Sequence, residues 1–284
     1  MTVEREAPSA GPGEAVVEVA CCGICGSDLH FRDVPALFPA GTIPGHELSG
    51  RILSLGEGVE GWSLGDRVCI LPFAQCGECE RCRAGEEQVC PHAVPDGVGL
   101  GTGRPGGYAE QVAVDGRMLF SLPDAVDDRA GALTEPLAVA VRAVAQCGTP
   151  PPEQVAVIGA GTIGLLTALV LREHGFERIA VVSRNATRGE IARSLGLGVM
   201  APDALAGLSP ACIFECAGTP SAARLAIESL RALGRVMLVG LSLEPLELPA
   251  PAIVLGELEL RGILSYSRAD FAAAIDLLAR GRIP

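Results

Sequence analysis

Four cysteines lie close enough together in the chain to bind one metal ion. They are Cys76, Cys79, Cys82 and Cys90, in the pattern C-x2-C-x2-C-x7-C. Four thiolates in so short a span can surround a single ion tetrahedrally, and sites with only cysteine ligands are closed and structural. The spacing therefore predicts a structural zinc site whose binding energy helps to fold its loop. An iron–sulfur cluster, which also uses four cysteines, is the alternative.

A second set of side chains combines sulfur, nitrogen and oxygen ligands. Cys25 lies in Cys-Gly-Ile-Cys-Gly-Ser-Asp, His46 and Glu47 are adjacent in Pro-Gly-His-Glu-Leu, and Glu135 lies in Leu-Thr-Glu-Pro-Leu. A thiolate, an imidazole and a carboxylate form the kind of zinc site that leaves one position for water or substrate. Zinc held there can polarise an alcohol and lower its pKa. This set predicts a catalytic metal site.

A glycine-rich turn in the second half has the spacing of a dinucleotide-binding loop. Gly159, Gly161 and Gly164 follow a short apolar run at 154–158 and open a helical pattern at 162–174. In this context the first glycine permits a tight turn, the second lets the backbone approach a pyrophosphate, and the third lets helix and strand pack closely. The helix N-terminus favours phosphate charge. We therefore expect Gly159, Gly161, Thr162, Ile163 and Gly164 to contact the cofactor.

The end of the next strand indicates which dinucleotide is bound. Enzymes that use NAD usually carry an acid there, which accepts a hydrogen bond from the ribose 2′-hydroxyl. This chain has Ser183 and Arg184 instead, with Arg188 four residues farther on. A serine can donate to a 2′-phosphate and an arginine can pair with it. NADP is therefore the expected cofactor; the alternative is an exposed, uninvolved Arg184 and weak use of NAD.

The pattern of elements that must position these residues changes midway along the chain. The first half is rich in glycine and breaks into short extended runs at 15–20, 48–55, 66–71 and 108–114, followed by a helical pattern at 128–147. The second half alternates apolar strands with helices from 154 to 264. This order predicts an α/β protein with a β-rich domain and a doubly wound, mostly parallel sheet.

Length and charge limit the classes of function. The 284 residues suggest about two domains, and the net charge of −12 argues against binding to nucleic acid or to an anionic membrane. No secretory signal is recognisable in residues 1–13. The eleven cysteines then indicate metal ligands and buried side chains in a reducing compartment. We therefore expect a cytoplasmic protein.

Together these motifs resemble the zinc-containing medium-chain dehydrogenase/reductase family, and more narrowly its sorbitol/threonine dehydrogenase branch. By this resemblance, Cys25 and His46 match the first two zinc ligands of the family, and Glu47 matches a carboxylate that ligates or approaches the zinc. Glu135 matches the position where the polyol branch has a Glu-Pro pair. The resemblance covers nearly the whole chain and implies a GroES-like catalytic domain followed by a Rossmann domain.

The same resemblance implies a proton path. Ser27 resembles the hydroxyl that takes the proton of the alcohol, and His30 resembles the imidazole that passes it to solvent. Asp28 resembles the carboxylate that supports the ring of a zinc-bound histidine, here His46. Turn formation is the alternative for Ser27 and Asp28, and a surface position is the alternative for His30. Loop residues around Phe31, Phe38 and Leu100 are expected to line the substrate pocket.

The resemblance implies a hydride transfer between a secondary alcohol or polyol, or the matching ketone, and NADP or NAD. The expected domains are 1–147, GroES-like, 148–267, Rossmann, and 268–284, returning to the first domain. A dimer or tetramer is expected. Related enzymes begin with an extra strand and continue for roughly 50 residues more than this chain. A truncated or inactive zinc-stabilised nucleotide-binding protein is therefore one alternative, and a zinc-independent quinone or alkene reductase is another.

Overall fold

Two compact units make up the chain in the computed structural model. The structure describes residues 3–32, 34, 36, 38–73, 75–101, 103–148 and 154–284. The first unit comprises Met1–Glu135 and Ser267–Arg280, and the second comprises Pro136–Tyr266 and Gly281–Pro284. The domain limits expected from the sequence stay a prediction.

Strands and helices occur in both halves of the chain. The strands are β1 Glu14–Gly23, β2 Glu47–Leu55, β3 Arg67–Ile70, β4 Gln111–Asp115, β5 Leu119–Ser121, β6 Val155–Ile158, β7 Ile179–Val182, β8 Gly198–Met200, β9 Cys212–Glu215, β10 Arg235–Leu238 and β11 Glu259–Gly262. The α-helices are α1 Gly26–Phe31, α2 Glu80–Arg83, α3 Asp128–Ala132, α4 Thr134–Ala145, α5 Thr162–Glu173, α6 Ala186–Ser194, α7 Pro220–Ser229, α8 Ala250–Gly256 and α9 Arg268–Ala279. No helix in the described ranges is both long and apolar enough to span a bilayer.

The first unit is built on a five-stranded antiparallel sheet in the order β4-β1-β2-β3-β5. Its core includes Val17, Leu48 and Val68, which are at most 1 % exposed. β1 bulges between Val16 and Val17 and again between Val19 and Cys21, and such bulges bend a strand and re-aim its side chains. The predicted β-rich domain is confirmed, with β5 added; three residues are too few for a periodic signal.

The helical pattern at 128–147 forms two helices, α3 and α4, instead of the single one expected. Leu133 ends α3, and α4 starts at Thr134. Pro136 explains the break, because its nitrogen carries no hydrogen to donate to the carbonyl of Ala132 in a continuous helix. In the first turn of a new helix that hydrogen is not needed. The break leaves Glu135 in the first turn of α4.

The second unit is built on a six-stranded parallel sheet in the order β11-β10-β9-β6-β7-β8. Every residue of the central strands β6 and β9 is buried, as expected of parallel strands covered by helices on both faces. The strand order reverses between β6 and β9, and such a switch point opens a crevice at the carboxyl ends of the strands. The predicted doubly wound sheet is confirmed; the short β8 and α8 were not expected.

Candidate active site and nucleotide cavity

The four cysteines of the first predicted metal site form one cluster. Sγ of Cys76 lies 3.9 Å from that of Cys82 and 3.7 Å from that of Cys90, and Cys79 and Cys90 are 3.9 Å apart. A tetrahedral ion with metal–sulfur bonds of about 2.3 Å places its sulfurs about 3.8 Å apart. The cysteines therefore fit a single ion; an iron–sulfur cluster distributes its four thiolates over two or four irons, which places some of the sulfurs farther apart.

Backbone N–H groups support this cluster. Cys79 N–H donates to Sγ of Cys76 at 3.3 Å, and Cys82 N–H donates to Sγ of Cys79 at 3.4 Å. The N–H groups of Glu78 and Cys79 lower the pKa of Cys76 to about 6. Burial and the neighbouring sulfurs raise the pKa of Cys82 to about 12. A cation among the sulfurs would favour the thiolate form of Cys82.

The pairing of β1 with β2 assembles the second cluster. Cys25 follows β1, while His46 and Glu47 stand at the start of β2, where Gly23 pairs with Glu47. A Cβ atom on Gly23 would lie 2.1 Å from Oε2 of Glu47, so only glycine leaves room for this carboxylate. Among the described residues, the ligand atoms of Cys25, His46 and Glu47 lie within 4.8 Å of one another.

The charges of this cluster suit a bound cation. Burial opposes a charge on His46, yet Asp28, Cys25 and Glu135 raise the pKa of the imidazole to about 11. Burial and the charge of Glu135 raise the pKa of Glu47 to about 7. Glu135 is itself 6 % exposed and lies outside the group within 4.8 Å. The site therefore holds more acidic groups than one imidazolium neutralises, and its N, S and O donors suit zinc.

Asp28 connects α1 to His46. Its Oδ2 atom accepts hydrogen bonds from Cys25 N–H at 3.0 Å and from the Tyr108 hydroxyl at 2.7 Å. Its Oδ1 atom lies 3.5 Å from Nδ1 of His46. Burial opposes ionisation of Asp28, but His46 and Tyr108 lower its pKa, so it stays a carboxylate. The sequence analysis did not single out Tyr108, because its distance of 80 residues from Asp28 leaves no local signal.

The two residues of the expected proton path lie on α1. Ser27 is half-buried and His30 is exposed. Residues three apart are neighbours on a helix surface, so the two side chains share one side of α1, with His30 the more exposed of the two. Of the expected pocket residues, Phe38 and Leu100 are half-buried, whereas the side chain of Phe31 lies outside the described residues.

Three glycines shape the turn between β6 and α5. Gly159 has φ +106°, a left-handed conformation that favours glycine. A Cβ atom on Gly164 would lie 1.8 Å from the carbonyl oxygen of Gly159, so this glycine lets helix and strand meet. A Cβ atom on Gly161 would meet open space, its nearest neighbour being Nη1 of Arg188 at 4.0 Å. Thr162 and Ile163 then begin α5, whose N-terminus favours anions.

A cavity of about 290 Å³ adjoins this turn within the second unit. It is lined by Ile158, Gly159, Ala160, Val182, Ser183, Arg184, Asn185, Arg188, Pro202, Ala217, Ser221, Ala222 and Leu225. These residues include both predicted arginines and no acidic side chain. Asn185, which the sequence analysis missed, accepts a hydrogen bond from Arg188 N–H at 3.0 Å and begins α6, so it holds the two arginines in one turn.

Comparison with known proteins matches both units. Residues 11–124 match the alcohol dehydrogenase GroES-like domain, and residues 162–280 match the zinc-binding dehydrogenase domain. The chain is 32 % identical to a sorbitol dehydrogenase of Halalkalibacterium halodurans, over 99 % of this chain and 84 % of the relative.

Solved structures agree with that match. A zinc-binding dehydrogenase from Sinorhizobium meliloti 1021 bound to NADP has a TM-score of 0.88 at 29 % identity, over 98 % of this chain and 84 % of its own. An alcohol dehydrogenase from Escherichia coli CFT073 complexed with NADH has a TM-score of 0.89 at 30 % identity, over 99 % and 85 %.

Proposed function

This chain belongs to the zinc-binding, medium-chain alcohol dehydrogenase family and is an oxidoreductase, and from this we propose that it transfers a hydride between a secondary alcohol or polyol and NADP. The observation that carries the proposal is the convergence of Cys25, His46 and Glu47 within 4.8 Å. A quinone or alkene reductase without zinc has no use for this ligand set, and an inactive nucleotide-binding protein has no need of it.

The proposed mechanism divides the chemistry between the site residues and the groups they hold. Cys25, His46 and Glu47 would hold the catalytic zinc, with the Glu135 charge beside them. The bound groups would supply a Lewis acid for the substrate hydroxyl and an acceptor for the hydride. Ser27 accepts the proton of the alcohol, and the exposed His30 releases it to solvent. Asp28 orients His46 from behind.

We propose NADP as the preferred nucleotide. The cavity has Arg184, Arg188 and Ser183 at the end of β7 and at the start of α6, and no acid among its lining residues. A 2′-phosphate gains charge-assisted hydrogen bonds from such a lining, whereas a bare 2′-hydroxyl lacks the carboxylate that usually binds it. Gly161, Thr162 and Ile163 leave the backbone at the start of α5 free to approach the pyrophosphate.

The four-cysteine cluster is proposed to hold a second zinc ion with a structural role. Its loop contributes only a small core of Cys82, Cys90 and Ala93, so a bound ion supplies the folding energy that the loop lacks.

The three domains expected from the sequence, 1–147, 148–267 and 268–284, are proposed as the functional division of the chain. We also propose a cytoplasmic location, because a chain with two thiolate metal sites suits a reducing compartment.

The proposed substrate class is polyols, sugars and amino alcohols in preference to simple primary alcohols. Glu135 in the Glu-Pro pair supports this choice, as does the similarity to a sorbitol dehydrogenase. A panel of polyols and the matching ketones, assayed with NADP and with NAD, identifies the substrate and the direction of the reaction. Turnover of only primary alcohols would contradict the proposed class.

Replacement of Cys25 or His46 by Ala tests the proposed mechanism. Without a thiolate or imidazole ligand the Lewis acid is lost, so kcat should fall by about 1,000-fold or more. Nucleotide affinity, measured by fluorescence titration, should not change, because the nucleotide cavity lies in the second unit. Cys21→Ala is the matched control, since Cys21 is a half-buried cysteine outside both clusters. Full activity of a metal-free Cys25→Ala enzyme would overturn the mechanism.

A further inference from the structure

Backbone hydrogen bonds between residues 106–108 and residues 43–45 hold Tyr108 beside His46. Gly106 N–H donates to the carbonyl of Ile43 at 2.7 Å, Gly107 N–H to Gly45 at 2.8 Å, and Tyr108 N–H to Pro44 at 3.0 Å. Three consecutive bonds fix segment 106–108 against segment 43–45, which leads directly into His46. The position of the Tyr108 ring is therefore determined relative to the imidazole, although the two residues are far apart in the chain.

The ring of Tyr108 packs against the backbone just before His46. Gly45 has φ +101°, and a Cβ atom there would lie 2.7 Å from Cδ1 and 2.9 Å from Cε1 of the tyrosine. Only glycine allows this approach. The phenol is therefore held from one side by Gly45 and directs its hydroxyl towards Asp28.

The hydroxyl of Tyr108 determines which oxygen of Asp28 is left for His46. It lies 2.7 Å from Oδ2 of Asp28 and 3.0 Å from the carbonyl of Gly23, and Cys25 N–H also donates to Oδ2. The phenol has one hydrogen to donate, and the shorter contact with a charged oxygen makes Oδ2 its main acceptor. Oδ2 thus receives two donors, the Tyr108 hydroxyl and Cys25 N–H. Oδ1 faces Nδ1 of His46 at 3.5 Å. Within the described part of the chain, neither of these buried atoms has a hydrogen-bond partner with the usual geometry. The imidazole N–H is the donor that Oδ1 is placed to receive.

We propose that Tyr108 is a positioning residue for the zinc ligand His46, acting through Asp28. By holding Oδ2, Tyr108 directs Oδ1 towards Nδ1 of His46, which leaves Nε2 as the nitrogen that binds the metal with Cys25 and Glu47. Carboxylates that support a zinc-bound histidine in this way tune both its orientation and its basicity. This inference rests on the proposed function, because it requires zinc at the Cys25 site.

Tyr108→Phe tests the inference, since it removes the hydroxyl and keeps the ring on Gly45. The measured quantity is the dissociation constant of zinc at the Cys25 site, obtained by competition with a chelator. Cys25→Ala identifies the equivalent of zinc that belongs to this site. We expect zinc to bind about 10-fold more weakly to Tyr108→Phe, the lower end of the range for residues that support a ligand.

Tyr266→Phe is the matched control, because it removes the hydroxyl of the other tyrosine, which is fully buried in the second unit. Its zinc affinity should equal that of the wild type. In an Asp28→Asn background, Tyr108→Phe should cause no further loss, because Tyr108 acts through that carboxylate. Wild-type zinc affinity in Tyr108→Phe, or an additive loss in the double variant, would overturn the inference alone. If Cys25→Ala retains the zinc content of the wild type, the proposed function itself fails.

Discussion

At the residue scale, the proposed metal site brings together buried acidic side chains whose negative charges repel one another. Glu47 and Glu135 are both buried carboxylates, 8 % and 6 % exposed, and the charge of Glu135 raises the pKa of Glu47. Cys22 lies close by, but burial and Asp28 raise the pKa of its thiol to about 12, and a thiol that keeps its proton is a poor ligand. Among the described residues, Cys25 and not Cys22 belongs with His46 and Glu47 to the group of ligand atoms within 4.8 Å of one another, so Cys25 is the ligand that we propose.

Arg184→Ala tests the nucleotide preference. A charge-assisted hydrogen bond to phosphate contributes about 1.5–3 kcal/mol, so the KM for NADP should rise about 10-fold or more while the KM for NAD stays unchanged. Steady-state kinetics with each nucleotide measures both values. Arg193→Ala is the matched control, because Arg193 is exposed on the same helix, α6, outside the cavity lining. A wild-type KM lower for NAD than for NADP would refute the preference.

At the element scale, the strand–turn–helix of β6 and α5 separates two functions of glycine. Gly164 is needed for close packing, because its Cα faces the carbonyl of Gly159 and leaves no room for a side chain. The space above Gly161 is open and its φ of −83° is accessible to any residue, so we propose that this glycine serves dinucleotide binding. One motif would then contain a residue needed for stability and another needed for the ligand.

Two single substitutions distinguish these functions. Gly164→Ala inserts a methyl group where there is no room and should lower the free energy of unfolding by about 1–3 kcal/mol. Gly161→Ala should keep the wild-type stability within about 1 kcal/mol but weaken dinucleotide binding, because the methyl group occupies the approach of the pyrophosphate. Urea unfolding and nucleotide titration give the two values. Each variant is the control for the other, and equal losses of stability would contradict the assignment.

At the scale of the whole molecule, exposed apolar side chains support the expected homo-oligomer. Among the described strands, the edge strand β11 pairs only with β10. Near it in the chain, Val254, Leu255 and Leu264 are 72 %, 85 % and 61 % exposed. Sheet edges and apolar patches of this kind are usually covered. A second copy of the chain, packed through a two-fold interface, would cover both the edge of β11 and these apolar side chains.

Leu255→Arg should therefore shift the protein towards the monomer, because a charge in an apolar interface loses its hydration without a partner. Light scattering coupled to size exclusion measures the mass. Leu64→Arg is the matched control, since Leu64 is 67 % exposed and belongs to the first unit. Wild-type protein that is monomeric at micromolar concentration would exclude the oligomer.

Two candidate metal-ligand sets, the dinucleotide turn and the fold class could be predicted from the sequence. Ligand chemistry and turn geometry are local properties, and Cys76 to Cys90 or Gly159 to Gly164 carry their spacing within one short segment. Apolar runs such as β6 likewise identify buried parallel strands without knowledge of their neighbours. The proline that divides α3 from α4 was also visible, although its effect on the helix was not anticipated.

Only the tertiary structure decided which distant residues complete the sites. The link from Tyr108 through Asp28 to His46 spans strand pairings and loops that no periodic pattern encodes. The arginine-lined cavity likewise depends on Ala217 and Ser221, which line it together with Gly159 because β9 lies beside β6. The physical reason is the same in both cases: hydrogen bonds and cavities form between segments brought together by packing, and short-range sequence patterns do not record that packing.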